Sequence, residues 1–166
     1  MLHVALGSLL LLALVTRTAQ AAPILYATAA TTGEVTSYCI GAGGGLDTDP
    51  RQRINTNGRA PSRLITTTLP GGMFLYAAEN DRVEVFRIGD GGRLTRQGRI
   101  PAQPIPSDPG SGLTNMNPHD ISIGETAGGT QVLYVPQRPY DRIAAFPLDS
   151  ATGLFIVPIG RCDGGG

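Results

Sequence analysis

Lysine is absent: all 13 basic residues among the 166 are arginines. That removes Schiff-base chemistry, a catalytic ammonium and the lysine of a phosphate-binding P-loop from consideration. Tryptophan is absent too, and the aromatic share is only 5 %, from five tyrosines and four phenylalanines. Charged residues make up 16 % of the chain, and 13 acidic groups balance the arginines to a net charge of zero. A nucleic-acid-binding protein should carry a basic surplus, so no nucleic-acid partner is expected. The low charge also excludes a highly charged disordered tail. With two histidines, two cysteines and no Cys-x-x-Cys spacing, neither zinc nor haem attachment is supported, and no metal or cofactor is expected. No serine sits in a Gly-x-Ser-x-Gly elbow, which leaves a serine-hydrolase triad unsupported. What is plentiful is punctuation: 23 glycines and 13 prolines, against an average share for the two together of roughly 12 %. Helical bundles, coiled coils and other long regular helices are excluded by that density of breakers.

Residues 1–21 read as a secretory signal peptide. An apolar run from Leu9 to Val15 is followed by Ala19-Gln20-Ala21, the small-x-small pattern of a cleavage site. The run is too short for a membrane span, which needs about 18 or more apolar residues, and no later segment is longer. The expectation is export to the periplasm or the extracellular space. In such an oxidising compartment Cys39 and Cys162 could form one disulfide. Cys39 lies inside a strand pattern and Cys162 near the end of the chain, so they need not be neighbours.

The chain repeats itself. Ile24-Leu25-Tyr26-Ala27, Phe74-Leu75-Tyr76-Ala77 and Val132-Leu133-Tyr134-Val135 superpose, with Leu-Tyr pairs beginning at residues 25, 75 and 133. Each is followed by a short turn and a second strand centred on an aromatic residue: Glu34 to Ile40, Arg82 to Ile88 and Arg142 to Leu148. A glycine-rich turn and a leucine then close each unit, at Gly45-Leu46, Gly92-Arg93-Leu94 and Gly153-Leu154. Upstream of the second and third units stand Pro61-Ser62-Arg63-Leu64-Ile65 and Pro118-His119-Asp120-Ile121-Ser122-Ile123, each leading to a glycine pair. A full unit is therefore four short strands, A to D, with Gly or Pro at each junction, as hairpin turns require. Strand C of the second unit sets Val83 and Val85 on one face and Phe86 and Ile88 on the other, so its sheet should be covered on both sides. Four-stranded antiparallel units stacked face to face are the blades of a β-propeller. The fold class is all-β: a partial β-propeller of about two and a half to three four-stranded antiparallel blades behind a signal peptide.

This frame (Pro-x-x-apolar, Gly-Gly, Leu-Tyr-Val, Arg-Val/Ile-x-x-Phe, Gly-x-Leu) resembles the bacterial seven-bladed propellers of the lactonase-like family. That family includes 6-phosphogluconolactonase and relatives of the muconate-cyclising enzymes. The resemblance runs over roughly residues 24 to 160. Surface-layer repeats with a Tyr-Val-Thr-Asn strand share much of the frame, whereas the Gly-His and Trp-Asp marks of WD repeats are missing. The expected organisation is a signal peptide at 1–21, a first blade lacking its inner strand at 22–58, a second blade at 59–100, a proline-rich connector at 101–117, a third blade at 118–160 and a glycine-rich tail at 161–166. A ring closes with typically four to eight blades. The chain is therefore expected to be a fragment of a longer propeller, with ring closure by several chains and an open β-array as alternatives. Unpaired blade edges would invite self-association.

Strand direction reverses at each turn, so the D-to-A connectors and the B-to-C loops share one face of the ring. Arg59, Ser62, Arg63, Glu79, Asn80 and Asp81 belong there from the second blade, and His119, Asp120, Gln137, Arg138, Tyr140 and Asp141 from the third. His119 is the only histidine outside the signal segment, and its pKa range suits a general base or acid. The lactonase-like family also shows a Pro-His pair at the start of inner strands. The resemblance thus implies hydrolysis of a sugar lactone, with His119 as base, Arg63 and Arg138 as bidentate anion clamps, and Asp120 and Glu79 as further substrate contacts. The counterpart of His119 in the second unit is Ser62, and a histidine there can equally cap a turn. A chain this short would supply only part of such a site and is expected to be inactive alone. The alternative is a non-catalytic periplasmic or cell-surface propeller that binds a ligand or a protein. Asp81-Arg82 and Asp141-Arg142 read as turn-closing ion pairs or solvated edges. Gly41 to Gly45 reads as a hairpin loop rather than a phosphate cradle, and Asp47 with Asp49 is a thin basis for calcium.

Overall fold

The computed structural model describes residues 22–56, 61–80, 82–101, 120–137 and 142–156. The leader at 1–21, most of the connector, His119, Arg138 and Cys162 lie outside these residues. Among the described residues ten strands make three antiparallel sheets. The first sheet holds β1 (Ile24–Ala29), β2 (Glu34–Cys39) and β3 (Gln52–Asn55) in that order. The second holds β4 (Arg63–Leu69), β5 (Gly72–Ala78), β6 (Arg82–Ile88) and β7 (Leu94–Pro101), again in chain order. The third holds β8 (Ser122–Glu125), β9 (Gln131–Gln137) and β10 (Arg142–Pro147). Within each sheet, strands that are neighbours in sequence are neighbours in space, so each sheet is an antiparallel meander.

The three Leu-Tyr segments occupy the same place. Tyr26 faces Ser37, Tyr76 faces Val85 and Tyr134 faces Ala145 across their ladders. The turn after the third strand in each unit ends on a bridge, Ile40 with Leu46, Ile88 with Leu94, and Leu148 with Phe155. The counterpart of Leu94 in the third unit is therefore Phe155 and not Leu154. The reason is one extra residue in that turn: Gly89 N–H bonds the Arg93 carbonyl four residues on, whereas Asp149 N–H bonds the Leu154 carbonyl five residues on. Register slips once, between Val85 and Phe86, where β7 carries an additional residue, Gln97, between the partners Gly98 and Arg96.

Two apolar cores lie between the sheets rather than within one. Val35 of the first sheet meets Leu75, Ala77, Phe86 and Leu94 of the second, with Tyr26, Ile54 and Ile88 packed around them. The opposite face of the second sheet, through Phe74, Tyr76, Val83, Val85 and Ile100, meets Ile121, Leu133, Val135, Ala144, Phe146 and Leu148. Val83 and Val85 do take one face of β6 while Phe86 and Ile88 take the other. The period-2 pattern works here because both faces of this sheet are covered. Phe146 and Phe155 complete the third sheet with an edge-to-face contact at 5.9 Å.

Polar ties repeat at each interface. The Tyr26 hydroxyl donates to the Gly92 carbonyl of the next sheet at 2.9 Å, and the Tyr76 hydroxyl donates to the Gly153 carbonyl of the next at 2.8 Å. Gln52 clamps the edge of the second sheet in two directions. Its Nε2 donates to the Leu94 carbonyl at 3.0 Å, and its Oε1 accepts from Leu94 N–H at 2.8 Å. Between the second and third sheets, the Thr67 hydroxyl donates to Gln131 Oε1 at 2.7 Å. The acceptor glycines sit at φ 77° for Gly92 and 70° for Gly153, a left-handed conformation that side chains rarely adopt. A Cβ on Gly92 would lie 2.5 Å from Ile24, and one on Gly153 would lie 2.5 Å from Phe74.

Candidate functional site

The first strands of the second and third sheets, β4 and β8, lie side by side. Their leading ends bring Arg63 and Asp120 together, although 57 positions separate them in the sequence. Arg63 Nε stands 3.1 Å from Asp120 Oδ1, and both side chains are about three-fifths exposed, at 60 % and 61 %. The same Asp120 oxygen accepts from Ile121 N–H at 2.9 Å, which fixes the carboxylate where β8 is about to begin. Ser62 is tied to the end of β5, its N–H donating to the Ala78 carbonyl at 2.9 Å. An exposed pair of this kind contributes about 0–1 kcal/mol to stability, so either partner can exchange it for a ligand at little cost. Arg63 approaches Asp120 through Nε, and a planar guanidinium carries several donors in a fork that suits a carboxylate or phosphate.

The sequence places Glu79 on the same rim, and the structure turns it inward. Glu79 and Thr56 are each 0 % exposed. Arg82 Nε lies 2.9 Å from Glu79 Oε2 and 3.2 Å from Glu84 Oε1, and Arg96 Nε lies 3.2 Å from Glu84 Oε2. Arg96 Nη2 then donates to the Asn55 carbonyl of the first sheet at 2.7 Å, so a chain of alternating charges ends as an inter-sheet tie. Burial pushes the Glu79 carboxyl above its ordinary range, and the hydrogen bond from Arg82 pulls against that rise. The carboxylate of Glu79 is thus committed to Arg82, which closes the β5–β6 turn from a buried position rather than from a solvated edge. Glu84 and Arg96 receive no role from the motifs. The available signal is a carboxylate in the middle of an apolar strand, where the first unit carries Thr36 and the third Ala144.

His119 and Arg138 lie outside the described residues, so neither is brought to or kept from the rim. At the opposite end of the sheets, Arg51, Gln52, Asp90 and Arg93 line a shallow cleft. Nearby Arg51 Nη1 reaches the Cys39 sulfur at 3.3 Å, and Cys39 carries a free thiol. Among the described residues no group of three or more His, Cys, Asp or Glu side chains is placed to hold a metal ion, and no helix is long and apolar enough to cross a membrane.

No protein-family model matches the chain, and no curated protein matches it. A solved structure does: a protein from Lactobacillus plantarum, 19 % identical, superposes with a TM-score of 0.57 over 80 % of this chain and 37 % of its own. The described residues form part of a β-propeller. The three sheets are accordingly its blades, and the chain spans little over a third of the length of that solved structure. At this level of identity the likeness concerns fold alone.

Proposed function

We propose that this chain is the part of a lactonase-like propeller that supplies one sector of a ring mouth recognising an anionic sugar, with ring-opening of a sugar lactone as its chemistry. The observation that carries the reading is the exposed Arg63–Asp120 pair at the starts of the adjacent strands β4 and β8. It presents an anion-binding fork and a carboxylate where a ligand in the channel would meet them. His119 precedes Asp120 directly in the sequence. In the proposed reaction neutral His119 takes a proton from water as the hydroxide attacks the lactone carbonyl carbon. The ring C–O bond then breaks, and the departing alkoxide recovers the proton to give a hydroxy acid. Arg63 holds the substrate's carboxylate or phosphate, with Arg138 as a second clamp, and Asp120 orients Arg63.

The test is calorimetric titration of the full chain with 6-phosphogluconate, the hydroxy acid such a reaction releases, beside lactone hydrolysis followed by pH-stat. Binding that weakens at least tenfold in Arg63→Ala, with any turnover abolished in His119→Ala, is the expected result. Binding with no turnover in a version whose ring is completed by further blades would strip the reading to a non-catalytic ligand-binding propeller. Failure of the wild-type chain to bind the acid would overturn it.

A further inference from the structure

The two interfaces between blades are built from the same parts, and the outer faces of the first and third blades carry those parts without partners among the described residues. On the forward side, each blade offers a tyrosine from its second strand and a β-branched residue from its third. Tyr26 with Val35 does this in the first blade and Tyr76 with Val83 in the second, and both valines are buried, at 0 % and 2 % exposure. The third blade offers Tyr134 and Ile143 in the same slots. Ile143 is 69 % exposed, and Tyr134 has no hydrogen-bond partner among the described residues. On the backward side, each blade offers a leucine beside the tyrosine, an apolar residue after the glycine turn, and the glycine carbonyl. Leu75 and Leu94 are buried at 0 % and 3 %, whereas their counterparts in the first blade, Leu25 and Leu46, are 39 % and 52 % exposed. Gly44, the counterpart of Gly92 and Gly153, has the same left-handed backbone at φ 80° but nothing within 4 Å of where a Cβ would be.

The geometry points to head-to-tail docking of a second copy of this chain: the forward face of the third blade in one copy receives the backward face of the first blade in the next, and Tyr134 donates to the carbonyl of Gly44. The occupant follows from continuity with the two interfaces inside the chain. A face that ends in an unfilled tyrosine donor and an exposed isoleucine matches one that ends in an open glycine carbonyl and two exposed leucines, and this chain carries both. Such a contact is heterologous, because the residues used by one copy differ from those used by its neighbour, so its repetition either closes a ring or continues as a filament. It uses blade faces and not strand edges, and so differs from edge-to-edge pairing.

Two substitutions at exposed positions test this on the full chain, with far-UV circular dichroism confirming that each variant keeps the wild-type fold. Ile143→Glu blocks the forward face and Leu46→Glu the backward face. The wild type should sediment above the 17.3 kDa of one chain, in a concentration-dependent way. Each variant alone should be monomeric, and an equimolar mixture should give a two-copy species and nothing larger, since only one sound face of each kind remains. Tyr134→Phe should weaken association roughly five- to tenfold, the equivalent of one lost hydrogen bond. A wild type that stays monomeric at high micromolar concentration would overturn the proposal and leave these faces to further blades. Continued self-association of Leu46→Glu alone, or a mixture that remains monomeric, would overturn it as well.

Discussion

Three structurally equivalent tyrosines in one chain provide an internal calibration of what an inter-blade hydrogen bond contributes. Tyr76→Phe removes a buried 2.8 Å bond to the Gly153 carbonyl without creating a cavity. A hydrogen bond contributes a net of about 1 kcal/mol, and a buried acceptor left without a donor adds about 1 kcal/mol more. The expected loss is therefore about 2 kcal/mol, which for a chain of this size lowers Tm by roughly 4–8 °C. Tyr26→Phe removes a longer, half-buried bond that water can replace, and about 0.5–1 kcal/mol is expected. Tyr134→Phe should cost nothing measurable when the forward face is undocked. All three are to be compared in the Ile143→Glu background, by urea unfolding followed with circular dichroism and by calorimetry. The m-value should stay constant, since no surface changes hands. A loss for Tyr134→Phe equal to that for Tyr76→Phe, or no loss for Tyr76→Phe, would refute the idea that these hydroxyls latch one blade to the next. Burial also raises the Tyr76 phenol above its ordinary value of 10.0. Its contribution is complete below about pH 10 and is lost only as the pH rises through the folded value.

Gly153→Ala should cost several kcal/mol, since a Cβ there meets Phe74 at 2.5 Å on a left-handed backbone. Gly44→Ala, with open space around it, should cost about 1 kcal/mol from backbone strain alone, and unfolding curves of the two variants check the contrast. Leu75→Ala should lose about 2–5 kcal/mol while its counterpart Leu25→Ala loses under about 1 kcal/mol, because only the first is enclosed; equal losses would contradict the two-core arrangement. Glu79 supplies the pH test. Its folded carboxyl is raised by burial, so its contribution is fully present below the ordinary value near 4.5 and is lost as the pH rises through the raised value. The difference in Tm between wild type and Glu79→Gln, scanned from pH 4 to pH 8, should therefore change in favour of the variant as pH rises; a flat difference would show that Arg82 cancels the burial.

Much of the architecture was legible in the residues because a repeat announces itself locally. The Leu-Tyr strands, the alternation along β6 and the glycine turns are all patterns that a few neighbouring residues express. The turn of the third unit misleads by one position, since an added residue between Asp149 and Leu154 shifts the bridge to Phe155 without altering the Gly-x-Leu appearance. Glu79 reads as a rim carboxylate for a similar reason. Its place in a B-to-C loop is evident, but its burial depends on Arg82 folding back and on Thr56 arriving from another blade, and neither is a local property. The latch itself joins residues 66 and 77 positions apart. Tyrosine at that position is equally consistent with simple core packing, so its hydroxyl carries no mark in the sequence. The Arg63–Asp120 pair lies between these cases: the motifs put each residue at the head of an inner strand, and only the stacking of the blades shows that the two heads meet.

Both latches run in one direction, from an earlier tyrosine to a later glycine. By Asn55 the three strands of the first sheet have been synthesised, and they carry Tyr26 and Val35 before the residues that will cover them have been made. The second sheet packs against that surface, and the third against the second. Each step adds a mostly local meander to an existing template, so the loop-closure cost of any one step stays small. Synthesis order and stacking order therefore coincide, an arrangement that suits folding by accretion from the amino-terminal side.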